Sequence, residues 1–113
     1  RNRMNCSEFA DKLQLTTLCE KDENIEIEGV YIGDLLSIAM SKAKKNYVWI
    51  TIQTHINIVA VAELLELACI IIVENMEVAD DTLIKAKELN IPIFKTSESA
   101  YKLACRIKDL GIK

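Results

Sequence analysis

Polar side chains that could contact a ligand follow each of three short apolar segments in the second half of the chain. They are Gln53, Thr54, His55 and Asn57 after the first segment, Glu74 after the second, and Thr96 and Ser97 after the third. If the segments are parallel strands, their carboxyl ends share one edge of a sheet, where open α/β proteins bind ligands. Helices that begin beside these residues would add N–H groups that favour anions. The pattern predicts a site for a small anionic ligand, although Thr54 and Asn57 are also ordinary helix-capping residues.

His55 is the sole histidine, and three roles stay open for it. It has no cysteine, aspartate or second histidine at ligand spacing, which favours a hydrogen-bonded structural role over ligand contact or catalysis. A catalytic arrangement would need Thr51, Thr54 or Cys69 to be brought to it by the fold. The sequence also lacks a G-x-G-x-x-G, a Walker loop and a metal motif. We therefore predict no catalytic residue, no metal and no cofactor.

The four cysteines form no C-x-x-C pair, which argues against a finger-type zinc site or a disulfide framework. Cys19, Cys69 and Cys105 each stand beside apolar neighbours. We interpret them as small buried hydrophobic residues that stay reduced. A metal ion or iron–sulfur cluster assembled across the fold is the alternative.

Composition limits the classes of protein to which the chain can belong. It has 113 residues, of which 50% are hydrophobic and 27% charged, with a formal net charge of −3. These values fit one globular domain and argue against nucleic acid as a partner. No apolar stretch approaches the ~18 residues that span a bilayer, and the N-terminus lacks a signal-peptide core. We expect a cytoplasmic protein without membrane contact, in which residues 1–3 are an expression remnant and 4–113 form the domain.

The elements that must position the polar residues follow from apolar periodicity. Three strand-then-helix units are predicted, with strands at 48–52, 70–73 and 92–94 and helices at 56–68, 80–90 and 98–110. A helix near 5–13, a strand at 15–19, a strand at 25–32 interrupted at Gly29, and a helix after the Gly33 turn precede them. We expect Asp34, Asp80 and Ser97 to cap helices. The predicted fold is a three-layer α/β sandwich with a mainly parallel five-stranded sheet.

The predicted helix after His55 is apolar nearly all round. Among its residues only Asn57, Glu63 and Glu66 are polar. Such a helix must be covered on more than one side. The cover is either other helices of the domain or a second subunit, and the second alternative predicts a homodimer whose interface includes residues 56–67.

Several stretches of the sequence together resemble a known family. They are G-V-Y-I-G-D-L-L-S at 29–37, W-I-T-I-Q-T-H-I-N-I-V-A-V-A at 49–62, I-I-I-V-E at 70–74, A-K-E-L-N-I-P-I at 86–93 and S-A-Y at 99–101. The combination resembles the DRTGG domain in a small stand-alone form, although the string D-R-T-G-G itself is absent. The resemblance implies a fold similar to the N-terminal domain of HPr kinase/phosphorylase and a regulatory role, with Gly29, Gly33 and Asp34 as turn or structural residues. It does not imply kinase activity, because nothing of that catalytic domain is present.

Three hypotheses about function follow. The first is a non-catalytic regulatory or sensor domain that dimerises and binds a small anionic metabolite or a nucleotide beside Gln53 to Asn57. The second is an interaction module without a ligand, which has a metabolic or redox enzyme as its partner. A small enzyme is the third, and the missing pair of nucleophile and base argues against it.

Overall fold

The chain folds into five helices and five strands in the described residues, 4–20 and 25–112, of a computed structural model. Residues 1–3, interpreted from the sequence as an expression remnant, lie outside the described residues. The elements are α1 (Cys6–Lys12), β1 (Thr16–Cys19), β2 (Gly29–Ile32), α2 (Leu36–Lys42), β3 (Tyr47–Thr51), α3 (Asn57–Leu65), β4 (Cys69–Ile72), α4 (Asp80–Leu89), β5 (Ile93–Lys95) and α5 (Ala100–Asp109).

The five strands form one mixed sheet in the order β1-β5-β4-β3-β2. Strands β2 to β5 are parallel, and β1 pairs antiparallel with β5. The central strand β4 is buried along its whole length, as expected for a strand covered on both faces. The predicted five-stranded, mainly parallel sheet is confirmed, with one antiparallel edge strand.

Helices cover both faces of the sheet, but unequally. Helices α2, α3 and α4 connect successive parallel strands and bury Trp49, Ile70 and Ile72 on what we call the three-helix face. Helices α1 and α5 pack on Val48, Ile50 and other side chains of the opposite face, the two-helix face. Same-side crossovers are expected because right-handed connections that step along a sheet in one direction all lie on one side of it.

The apolar helix α3 is covered within a single copy of the chain. It packs against the sheet and has α2 and α4 as neighbours. Val61 is 7% exposed, whereas Leu64 is 66% exposed. Of the two alternatives for the cover of α3, neighbouring helices or a second subunit, the structure shows the first, because α2 and α4 of the same chain lie beside it.

The strand expected at 25–32 is confirmed only from Gly29 onward. The preceding residues instead meet the N-terminus, where Glu26 forms an antiparallel bridge with Asn5 and the Ile27 N–H donates to the Met4 carbonyl (2.9 Å). Residues 25–28 thus lie beside the N-terminal segment, whereas β2 pairs with β3.

Three predicted helix caps were wrong. Leu35 and not Asp34 occupies the N-cap position of α2, and Ala79 and not Asp80 that of α4. Helix α5 is capped by Ser99, whose hydroxyl accepts from the Lys102 N–H (3.2 Å), rather than by Ser97. Helix α3 is also shorter than expected, because Glu66 turns left-handed after Leu65.

The cysteines divide between the interior and the surface. Cys6, Cys19 and Cys69 are buried and form no disulfide, whereas Cys105, expected to be buried, is exposed on α5. No group of three or more potential metal-ligating side chains is found among the described residues. Within the same residues, none of the helices has both the length and the apolar character needed to cross a bilayer.

Candidate functional site

A side-chain network joins the loops that follow β2 and β3. Asp34 Oδ1 accepts hydrogen bonds from the Thr51 hydroxyl (2.8 Å) and from the Ile52 N–H (3.0 Å). The Thr51 hydroxyl oxygen in turn accepts from the Gln53 N–H (3.1 Å), and the Gln53 side-chain amide donates to the Asp34 carbonyl (3.0 Å). Thr51 is buried, while Asp34 is exposed. The network therefore fixes a carboxylate at the carboxyl edge of the sheet.

Asp34 was expected to be a capping or turn residue, and its contact with β3 could not be read from the sequence. An aspartate directly after a strand fits both a helix cap and a bond to the next strand. The parallel register Ile32↔Ile50 decides between them, because it brings the end of β3 beside Asp34.

Gly29 and Gly33 each lie against a tyrosine side chain. A Cβ atom on Gly29 would lie 2.5 Å from Tyr47 Cε1, and one on Gly33 would lie 2.6 Å from the Tyr31 hydroxyl. The Gly33 carbonyl also accepts from the indole N–H of Trp49 (2.9 Å). A side chain at either position would therefore require the neighbouring tyrosine ring to move.

His55, Thr54 and Asn57 lie at the start of α3. His55 Nδ1 accepts from the Asn57 N–H at 3.4 Å, and the Thr54 carbonyl accepts from the buried Thr82 hydroxyl at 2.8 Å. His55 is exposed, as is Asn57, and the Ile58 N–H donates to the His55 carbonyl (3.1 Å). The first amides of the helix are therefore already bonded by the chain itself, which weakens the argument for a simple anion site here.

The loops after β4 and β5 meet at the other half of the carboxyl edge. Glu74 and Asn75 both have left-handed backbones, with φ of 61° and 55°. Their N–H groups donate to the carbonyls of Glu98 and Thr96, both at 2.9 Å. Helices α4 and α5 leave toward opposite faces at this point, which is where such sheets open a crevice. Here the backbone hydrogen bonds close it.

Thr96 and Ser97, the remaining predicted residues, lie in the loop after β5. The Thr96 hydroxyl accepts from the Glu98 N–H (3.2 Å), and Ser97 is exposed. Glu98 is paired with Arg106 of α5, which also donates to the Leu13 carbonyl (3.1 Å). No side-chain hydrogen bond between described residues joins this half to Gln53 or His55. The structure thus separates the predicted residues into two groups.

The carboxyl edge is suited to hydrogen-bond donors more than to isolated anions. Asp34 and Glu74 are acidic and exposed, and the guanidinium of Arg106 is already paired with Glu98. Exposed apolar side chains lie close by: Leu35 follows Asp34 in the chain, and Ile52 donates its N–H to Asp34. A ligand that offers hydroxyl groups and a flat apolar ring fits this surface better than a bare anion.

Comparison with known proteins identifies the family. The model of the DRTGG domain family matches residues 8–110. Comparison with curated proteins gives no significant match. A similar solved structure is the crystal structure of the CBS and DRTGG domains of the regulatory region of Clostridium perfringens pyrophosphatase, complexed with its activator diadenosine tetraphosphate. It has a TM-score of 0.78 at 15% identity, over 95% of this chain and 47% of that chain.

The chain therefore spans about half of that regulatory region, and at this identity the likeness shows a shared fold. The family model covers nearly the whole chain, so the sequence match identifies the family. The chain belongs to the DRTGG domain family.

Proposed function

We propose that this chain is a non-catalytic regulatory domain that dimerises and binds a nucleotide at the carboxyl ends of β2 and β3. The observation that supports the ligand is the network of Asp34, Thr51 and Gln53. It uses Asp34 Oδ1 as an acceptor, whereas Oδ2 accepts from no described residue. A carboxylate held in this way at a strand end suits the hydroxyl groups of a ribose.

The surroundings of Asp34 supply the other contacts that a nucleoside needs. Exposed Ile52 and Leu35 offer apolar surface for a base. The regulatory region of the similar pyrophosphatase was crystallised with a dinucleotide activator, which makes adenine nucleotides the first ligands to test.

Isothermal titration with adenosine, AMP, ATP, diadenosine tetraphosphate and inorganic phosphate tests this proposal. Asp34→Asn keeps an acceptor for Thr51 and Ile52 but replaces Oδ2 by an amide, so we expect at least a ~10-fold loss of nucleotide affinity. Asp109→Asn, an exposed carboxylate at the last residue of α5, is the matched control and should bind as the wild type does. Equal affinity of the Asp34 variant would contradict this site.

Dimerisation is a separate part of the proposal, supported by apolar surface that a single copy leaves exposed. Sedimentation velocity of the wild-type chain over a range of micromolar concentrations tests it. A monomer at high concentration would contradict it.

An interaction module without a ligand is the second candidate, with a metabolic or redox enzyme as its partner. A cavity of about 660 Å³ beside β2 and α5 favours it, because most of the residues that line it are apolar. Failure of every nucleotide to bind, together with retained self-association, would support this alternative. We further infer that the fold resembles the N-terminal domain of HPr kinase/phosphorylase, which a direct superposition tests.

A further inference from the structure

Two of the buried cysteines lie side by side between α1 and β4. Cys6, the first residue of α1, donates its thiol proton to the Ala68 carbonyl (3.3 Å). The next residue, Cys69, is the first of β4, and its thiol shares a hydrogen bond with that of Cys6. Because the one proton of Cys6 goes to Ala68, Cys69 is the donor between the two sulfurs. The fold thus brings together two sulfur atoms that are far apart in the chain.

The two thiols differ in how solvent reaches them. Both belong to the hydrophobic core of the two-helix face, but Cys6 is 9% exposed and Cys69 is 0% exposed. The hydrogen bond with Cys6, together with burial, raises the pKa of the Cys69 thiol well above its ordinary value. A small oxidant that diffuses in from solvent therefore meets Cys6 first, and the protonated Cys69 lies directly behind it. Oxidant-sensitive cysteines are commonly arranged in this way, with a second thiol beside the one that reacts first.

The other two cysteines have different surroundings. Cys19 is buried in the core of the three-helix face, and its thiol donates to the Glu20 carbonyl at 3.9 Å. Cys105 is exposed on α5. The chain therefore contains a buried and an exposed cysteine with which the pair can be compared in one experiment.

We propose that Cys6 and Cys69 form a disulfide when the protein meets hydrogen peroxide, and that this bond fixes α1 to the central strand of the sheet. The Cys6 sulfur attacks one peroxide oxygen, so that an S–O bond forms and the O–O bond breaks. The departing hydroxide takes the Cys6 proton and leaves as water, and Cys6 becomes a sulfenic acid. The Cys69 sulfur then attacks the Cys6 sulfur, and the S–O bond breaks. The hydroxide released takes the Cys69 proton, so two thiols and one peroxide give one disulfide and two waters.

The disulfide would act on the position of α1. This helix has seven residues, and the thiols already face each other, so a small shift of α1 suffices to reach the S–S bond length of about 2.05 Å. Strand β4 is the third of the five strands in the sheet order, with a neighbour on each side. A bond between α1 and β4 would close a long loop of the chain and lower the conformational entropy of the unfolded state. Oxidation should therefore stabilise the two-helix face.

Peptide mapping of the wild-type chain tests the pairing. Trypsin cleaves after Lys and Arg and so places the four cysteines on four different peptides, 4–12, 13–21, 46–85 and 103–106. The folded protein is treated with hydrogen peroxide, alkylated in denaturant and digested without reductant. We expect peptides 4–12 and 46–85 to appear joined, with the mass of two hydrogen atoms missing, and dithiothreitol to separate them. Peptide 13–21 should stay alkylated. Sulfinic acid on peptide 4–12 without the joined species, or disulfides confined to 103–106, would overturn the pairing.

Thermal unfolding tests the effect on α1. The peroxide-treated wild type should have a Tm at least about 5 °C higher than the reduced protein, and dithiothreitol should abolish the difference. Cys69→Ala should lose both the joined peptide and the rise in Tm, whatever its own stability. Cys19→Ala, which removes a buried cysteine from the other face, is the matched control and should keep both. A joined peptide that leaves the Tm unchanged would overturn the stabilising hold on α1.

Discussion

The two faces of the sheet are built from different amounts of helix. On the three-helix face each crossover helix covers its own pair of strands, and side chains such as Trp49 and Ile58 are completely buried. On the two-helix face α1 and α5 are the described helices, and a groove remains beside β2. A face of the sheet is closed where a helix connects each pair of neighbouring parallel strands. Where the topology places no connecting helix, apolar surface is left for a partner.

The largest effect is expected from a charge on the closed face. Val61→Glu should lower the free energy of unfolding by at least about 3 kcal/mol or prevent folding, because Val61 is 7% exposed within one copy. Leu64→Glu, on the same helix but 66% exposed, should change it by less than about 0.5 kcal/mol. Urea unfolding followed by circular dichroism measures both. A folded, monomeric Val61→Glu variant of a wild-type dimer would instead place α3 in an interface.

A smaller effect is expected from the polar tether on the two-helix face. Arg106 pairs with Glu98 and donates to the Leu13 carbonyl at 3.1 Å, and so links α5 to the end of α1. Both ionic side chains are partly exposed, so Arg106→Ala should cost about 1 to 2 kcal/mol in urea unfolding. Lys102→Ala, exposed on the same helix, is the control and should be nearly neutral. Equal losses in the two variants would show that the tether adds nothing.

The thiols between α1 and β4 should make stability on the two-helix face sensitive to alkaline pH. The hydrogen bond with Cys6, together with burial, raises the pKa of the Cys69 thiol well above its ordinary value. Above about pH 9 the thiol of the unfolded chain ionises while the folded thiol stays protonated, so the free energy of unfolding should fall as pH rises. Below that pH the contribution is constant.

Urea unfolding with reductant between pH 7 and 10.5 measures this dependence. Cys69→Ala should reduce the fall in the free energy of unfolding with rising pH, whatever the stability of this variant at pH 7. Cys105→Ala, on the surface, should leave that fall unchanged. An unchanged slope in the Cys69 variant would contradict the assignment.

The smallest effect is expected at the start of α3. The hydrogen bond from the Asn57 N–H to His55 Nδ1 is long, at 3.4 Å, and exposed. His55→Ala should therefore change the free energy of unfolding by less than about 0.5 kcal/mol. A loss above about 1 kcal/mol would show that the closed face depends on this cap as well as on packing. Nucleotide titration of His55→Ala separately reports whether the ring contacts a ligand.

The sequence by itself determined the fold class and most of the element positions. Apolar segments such as 70–73 are long enough for buried strands, and the amphipathic stretches between them are long enough for crossover helices, so local periodicity was sufficient. Burial of Cys19 and Cys69 also followed from their immediate neighbours. The family match over residues 8–110 agrees with the resemblance carried by the same stretches.

Only the tertiary structure decided which polar residues meet. The sequence placed Gln53, His55, Glu74 and Ser97 at one edge, but their partners depend on strand order and register, which link residues far apart in the chain. The bond between Thr51 and Asp34 and the closure of the loop at Glu74 by Glu98 are both of this kind. The cover of α3 was likewise undetermined, because an apolar helix has the same pattern whether neighbouring helices or a second subunit remove it from water.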